Sequence, residues 1–325
     1  MPHDLATING RTAMFYSGVT PWHGLGRRLA APATAKEAIV AAQLDYAVDL
    51  RPLMTEDGLP VAKRRAVVRR DTDVVLGTVG SGYTPIQNID AFDFLDEVAG
   101  EGHLRYHTAG ALGQGERVWM LAKLPGNLRV HGTDDISKKF LLLSNSHDGS
   151  SSLRVLFTPI RVVCQNTLAF AHRQGRGQGI SIVHRGDVRS RVEEARRLLG
   201  LADRTFDRYG EQINVLAKRQ LTLAEVEDFF WGLYPDGADE KRGRSRAIRE
   251  RLENLFENGL GQDLPGIRHT AWAAVNAVTE YVDHHRTTRG RDDRTRVDRR
   301  LASAWFGSGA QVKLRAWEQA LALAT

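Results

Sequence analysis

The sequence predicts an α+β protein: a β-rich part with an antiparallel sheet and packed helices over residues 1–186, then a helical part over residues 187–325. Three observations lead there. Up to residue 186, short β-branched and aromatic runs alternate with Gly, Asn and Asp turn signals. A single clear helical period interrupts them near residues 84–100. From Asp187 onward, apolar residues recur at helical spacing among Arg and Glu. A chain of 325 residues is also long enough for about two domains.

The elements follow in order. Residues 64–80, "RRAVVRRDTDVVLGTVG", hold two β-branched runs around Asp71-Thr72-Asp73 and predict a hairpin. In residues 82–100, Thr84 and Gln87 have capping-box spacing and Pro85 suits a first helical position. Phe92, Leu95 and Val98 continue the period, and Gly100 ends it. Strands resume at "HLRYHTAGAL" and "ERVWMLAKLP", joined by "GQGE", then at "KKFLLLSN" and "LRVLFTPIRVV", joined by "SHDGSS". Pro159 marks an edge position or bulge in the last of these. Asn166 then caps a short helix, "GRGQG" is loop, and "ISIVH" is a further strand.

In the helical part, Val188, Val192, Ala195, Leu198 and Leu199 share one helix face. Thr222 and Glu225 form a second capping box. The charged stretch 236–246 reads as a linker, followed by helices at 247–259 and 269–286. In the latter, Trp272, Val275, Val278 and Val282 form a core face with Asn276 beside it. The Arg-rich stretch 286–300 reads as a salt-bridged connector, and a last helix from about Leu301 is interrupted at "GSG". No internal repeat is evident.

Composition narrows the function classes. The chain is 42% hydrophobic and 26% charged, as soluble globular proteins are. One cysteine excludes an intrachain disulfide and any multi-cysteine zinc site, which fits a cytoplasmic protein. The first residues lack a signal-peptide core, and no apolar run approaches the ~20 residues of a membrane span. The net charge of +6 favours polyanionic partners.

Several segments together resemble an uncharacterised family found in phages and plasmids: "PWHGLG" (21–26), "GYTPIQNIDAFDFLD" (82–96), "YHTAGALGQGERVWMLAKLP" (106–125), "LLSNSHDGSSSLRVLFTPIRVVCQNTL" (142–168) and "HTAWAAVNAVTEYVDHHR" (269–286). They span nearly the whole chain in order. The resemblance implies a background in DNA replication, recombination or maintenance, and no particular activity.

Four groups of residues carry candidate chemistry. Cys164 stands at a strand-to-helix junction, where a helix N-terminus would favour thiolate, yet no recognised cysteine-hydrolase motif surrounds it and free cysteine is commonly buried. His147 and Asp148 in "NSHDGS" can ligate a metal or act as acid and base, but Asp-Gly between apolar runs is one of the strongest hairpin signals, and the turn is the preferred reading. His103 and His107 lie about 13 Å apart if extended, too far to share a metal. Phosphate loops of the Walker type are missing, and the glycine clusters lead into strands rather than helices.

The fourth group is basic. Arg154, Arg161, Arg173, Arg176, Arg185, Arg189 and Arg191 fall around one strand–helix junction, and Tyr106, Trp119 or Phe157 can offer stacking faces for unpaired bases. A solvated basic surface beside core aromatics explains the same pattern. The sequence thus points to a cofactor-free, non-enzymatic protein binding DNA, single-stranded by preference, and working as a homo-oligomer. Its element order is similar to that of single-strand annealing proteins. The rival readings are a metal-dependent hydrolase or nuclease built on His147 and Asp148, and a protein-interaction factor without nucleic-acid affinity.

Overall fold

A computed structural model describes residues 6–8, 10–17, 26–99, 104–161, 179–184, 202–237, 239–287, 303–304 and 307–325. It is an α+β structure, with strands concentrated in the N-terminal part and helices in the C-terminal part. The main sheet runs in the order β12-β11-β10-β9-β8-β3-β4. Its core is the meander β8 (Arg105–Leu112), β9 (Arg117–Arg129), β10 (Ile136–Ser146) and β11 (Leu153–Arg161), antiparallel throughout. β12 (Gly179–Ile182) extends one side, and β3 (Met14–Ser17) with the parallel β4 (Arg27–Leu29) extends the other.

A smaller antiparallel sheet is made by β5 (Val48–Met54), β6 (Pro60–Arg69) and β7 (Val75–Gly80), so the 64–80 hairpin forms as the sequence predicts and gains one strand. β1 (Thr7–Ile8) and β2 (Arg11–Thr12) form a short ribbon. Pro159 pairs with Lys139 on one side only. β12 meets β11 at Leu153–Leu156, so the missing proline N–H lies beyond that ladder.

Among the described residues, two helices belong to the N-terminal part. α1 (Ala35–Ala41) starts at a complete Thr34–Glu37 capping box. α2 (Asn88–Ala99) starts one turn later than the Thr84–Gln87 spacing predicts. The Gln87 amide is occupied elsewhere: Oε1 accepts from Val48 N at 2.8 Å and Nε2 donates to Val48 O at 2.9 Å. It ties the entry of α2 to β5, and Thr84 N donates instead to His184 O.

The helical part holds α3 (Ala202–Lys218), α4 (Leu223–Leu233), α5 (Asp239–Asn258), α6 (Ala271–Glu280) and α7 (Ser308–Ala324). The Thr222–Glu225 capping box forms, and Arg219 pairs with the same carboxylate. The charged stretch 236–246 is mostly the first half of α5 rather than a linker. Arg249 bonded to Asp236, and the Arg246–Glu250 pair at i,i+4, stabilise this polar helix start. All ten residues of α6 are buried, and Asn276 donates to Trp272 O at 2.8 Å. A π-turn at Tyr281–His285 continues α6. It brings Asp283 to the buried Lys313 of α7 at 2.7 Å.

Sheet and helices share one hydrophobic cluster. Phe157 of β11 meets Phe206 of α3 edge to face at 5.7 Å, and Trp272 Nε1 donates to Asp135 Oδ2 at 2.8 Å. Among the described residues no helix is long and apolar enough to cross a membrane. Cys164, Asn166 and the helix expected from Val188 to Leu199 lie outside the described residues.

Candidate functional site

The hairpin turn between β10 and β11, Ser146-His147-Asp148-Gly149-Ser150, joins the two sheets. Gly149 has φ +76°, the left-handed conformation that glycine adopts without strain, as the Asp-Gly hairpin reading requires. β7 packs so closely that a Cβ on Gly77 would stand 2.5 Å from Asp148 Cα.

His147 turns inward and is fully buried. Its backbone N donates to Glu116 O at 2.7 Å, and its Nε2 lies 2.9 Å from Asn88 Oδ1. Asn88 Nδ2 donates to Leu44 O, so Oδ1 is the acceptor and Nε2 carries the proton. Nδ1 is left unpartnered. Burial, with His184 and Arg69 nearby, outweighs the attraction of Asp148 and pushes the imidazole down to about 4. The Tyr46 ring stands edge-on to it at 6.2 Å. Arg69 stacks on Tyr46 at 3.7 Å and grips Asp71 with two hydrogen bonds.

Asp148 turns the other way. Its carboxylate accepts from Ser146 Oγ and from Ser150 N at 2.8 Å, and Arg117 Nε lies 3.6 Å off. Partial burial raises this carboxyl, but these hydrogen bonds and Arg117 outweigh it and hold it below the usual range. His147 and Asp148 therefore face away from one another, one in the core and one in the turn's own hydrogen bonds. Among the described residues no three His, Cys, Asp or Glu side chains are grouped to hold a metal. His107 stands apart, edge-on to Phe140 at 5.3 Å, and burial with Lys123 and Lys138 takes it down to about 4. His103 lies outside the described residues.

Two pockets flank the turn. The first, about 210 Å³, is lined by Arg117, Trp119, Ser144, Ser146, Ser150, Ser151 and Arg154, together with Val118 and Asn145. Register explains it: Ser146 pairs with Arg117, and Ser144 pairs with Trp119 on one side and Arg154 on the other. Directly paired residues point to the same sheet face, so alternation on three strands gathers these groups. The second, about 330 Å³, lies between the β6–β7 edge and the same turn, and is lined by Arg64, Gly80, Gly82, Tyr83, Ser151, Ser152 and His184 among others. Ser151 lines both.

Of the sequence-predicted contacts, Arg154 lines the first pocket. Arg161 closes β11 opposite Ser137, its side chain outside the description, and Arg173, Arg176, Arg185, Arg189 and Arg191 lie outside the described residues. The aromatics are a correction. Tyr106 is fully buried and donates to Asp96 Oδ1 at 2.9 Å, while Trp119 is 1% exposed and packs over Gly110. Phe157 is buried against Phe206. Tyr106 and Phe157 pack against helices, and Trp119 lies on the opposite sheet face, buried at the base of the first pocket. Arg117, the serine ladder and the Tyr83–His184 pair were missed by sequence reading. The alternation of Arg117 with Trp119 and of Ser144 with Ser146 was the available signal.

Two curated relatives carry related sequence. UPF0380 protein YafZ of Escherichia coli (strain K12) is 41% identical over 178 residues, and UPF0380 protein YfjQ of the same organism is 39% identical over 178 residues. Each match covers 50% of this chain and 59% of the relative, so the chain spans about three-fifths of the length of the relatives it matches. No solved structure matches. The family profile described as "Domain of unknown function (DUF932)" matches residues 75–305, from β7 to just before α7 and including both pockets' turn, and the chain belongs to that family.

Proposed function

We propose that this chain binds single-stranded nucleic acid, DNA by preference, through phosphate contacts and without cleaving it. The observation that carries the reading is the first pocket, where two strand arginines, Arg117 and Arg154, border a floor of serine hydroxyls. The Ser146 and Ser151 hydroxyls donate to Asp148 and to Ser152 O, so the guanidinium groups are the donors that suit phosphate oxygens here. Arg117 is half exposed, so a ligand reaches it. A pocket of about 210 Å³ takes one phosphate-sized unit at a time. A flexible strand can bend to present such units, whereas a duplex with a persistence length of about 50 nm cannot. Weak contacts of this kind gain from repetition, which favours a homo-oligomer on a shared strand.

The test is fluorescence anisotropy with labelled single- and double-stranded oligonucleotides over a salt series, with magnesium present or absent, and a gel of the same samples. Single strands should bind more tightly than duplexes and remain intact. The Arg117→Gln/Arg154→Gln double variant should bind more weakly, with a salt slope reduced by about 1.4, the share of two phosphate contacts on a single strand. No binding near 0.15 M salt, about the physiological range, or an unchanged double variant, sinks the reading. Metal-dependent cleavage would replace it with the hydrolase.

A further inference from the structure

The β5–β6 hairpin ends in an arm that has no core of its own. No residue from Arg51 to Arg65 is buried, whereas Ala66, Val67, Val68 and Arg69, which follow on β6, all are. The β7 ladder stops at Arg64, paired with Gly80, so two strands continue alone to the tip. A lone two-stranded ribbon is marginally stable in water. The turn shapes this one: Thr55 N donates to Leu59 O at 2.8 Å, and Gly58 N to Thr55 O at 2.9 Å. Met54 and Leu59 are exposed at the tip. Behind them Lys63, Arg64 and Arg65 are exposed, and none has an ion-pair partner among the described residues. Arg51, Arg69 and Arg70 of the same sheet are all paired. The arm thus presents an apolar end followed by three uncompensated cations.

A second surface carries the opposite pattern. α4 and α5 border a groove of about 420 Å³. Leu223, Glu227 and Trp231 follow one another at i,i+4 spacing and so share one face of α4. Leu223 is 75% exposed and Trp231 54%, an unpartnered apolar stripe on a polar helix surface. Trp231, Glu227 and Asp228 line the groove together with Glu253 of α5. Its two arginines are spent: Arg246 on Glu250 at 2.9 Å, and Arg249 on Asp236 at 2.8 Å. Glu227, Asp228 and Glu253 have no ion-pair partner among the described residues. Crowding shows at Glu253, where partial burial, with Glu227 and Glu250 nearby, outweighs Arg249 and raises the carboxyl. An indole face beside three unpaired carboxylates suits guanidinium or ammonium groups.

We infer that the β5–β6 arm of one copy of this chain docks on the α4–α5 groove of a second copy, cations to carboxylates around Trp231 and apolar tip to Leu223. The two surfaces are complementary in charge and in exposed apolar side chains, and within one chain no arm residue lines the groove. Arm and groove are different patches, so copies join head to tail into a ring or filament, unless two exchange arms reciprocally. The contact supplies an interface for the proposed homo-oligomer. It needs no nucleic acid, so it stands or falls apart from strand binding.

The test is sedimentation velocity of the nuclease-treated protein over a concentration series, at about 0.05 M and about 0.5 M salt. Two charge reversals are compared with wild type: Arg64→Glu/Arg65→Glu in the arm and Glu227→Lys/Glu253→Lys in the groove. Wild type should self-associate, more weakly at the higher salt, and each reversal should weaken association by about tenfold or more. Mixing the two reversed proteins should restore it, because each arm then meets a groove of opposite charge. Circular dichroism and the urea midpoint check that the variants fold. Trp231→Ala, which changes no charge, should also weaken association and decides the matter if a reversal impairs folding. A monomeric wild type, association indifferent to either reversal, or a loss that mixing does not restore overturns the inference. If wild type is monomeric and the arm reversal instead weakens oligonucleotide binding, the arm belongs to strand binding and the inference falls.

Discussion

Protonating His147 should destabilise the fold, and the geometry fixes both sign and size. The ring is fully buried, its Nε2–H is spent on Asn88 Oδ1, and its Nδ1 has no partner. A second proton would therefore be an orphan donor beside a buried charge. Burial, the leading cause, takes the imidazole down to about 4, against about 6.5 in an unfolded chain. Between these values the unfolded state binds the proton and the folded state does not. Stability then rises with pH across that window, at about 1.4 kcal/mol per unit. From pH 7 to pH 5 the loss attributable to this one ring is about 2 kcal/mol. His107 and His184, both held low by burial, act in the same direction, so a comparison is needed. His147→Gln keeps a donor for Asn88 and cannot be protonated. Urea unfolding of both proteins by tryptophan fluorescence, at pH 7 and pH 5, should show the wild type losing about 2 kcal/mol more than the variant. Equal losses, or a His147 ring that titrates near 6.5 by NMR in the wild type, would refute the enclosed neutral imidazole.

Two further substitutions probe packing. Gly77→Ala places a Cβ 2.5 Å from Asp148 Cα and should cost about 1–3 kcal/mol, whereas Gly80→Ala, on the same strand with nothing within 4 Å, should be close to neutral in the same chemical melt. Lys313→Met removes the cation bonded to the buried Asp283 carboxylate and should cost about 3–5 kcal/mol. Replacing both partners with apolar residues should recover most of that loss, as read by the urea midpoint.

How far the sequence could be read is best seen in two residue pairs with the same spacing. Thr222–Glu225 and Thr84–Gln87 both look like capping boxes, and only the first is one. A carboxylate is all acceptor, so Glu225 is well used on the donors of a helix start. The Gln87 amide carries a donor and an acceptor and can satisfy a whole peptide unit, as it does at Val48, and a tertiary partner outcompetes the local one. Nothing near Gln87 in the sequence names that partner. The aromatics show the same limit. Trp119 and Ala122, the partner of Tyr106, lie three residues apart on β9, so Trp119 and Tyr106 fall on opposite sheet faces. Alternation separates the two faces but does not reveal that both are covered. The meander was legible because its runs alternate between clear turn signals. The two pockets were not, because each depends on register between strands and on the approach of a second sheet.

The turn at residues 146–150 was the point on which turn and site competed, and the structure makes the competition a false one. His147 and Asp148, the residues with the most reactive chemistry, are both occupied: one bonds Asn88 at the entry of α2, the other gathers Ser146, Ser150 and Arg117. The turn packs closely on β7 at Gly77 and Val79, and a concavity lies on either side of it. Arg117 and Arg154 line the one, and Arg64 and His184 line the other. If this division holds, His147→Gln should alter the pH dependence of stability while strand affinity at pH 7 stays near wild type. Arg64→Gln, at an exposed position of β6, should leave stability near wild type. A His147→Gln protein that folds normally yet binds no strand would return the imidazole to the site itself.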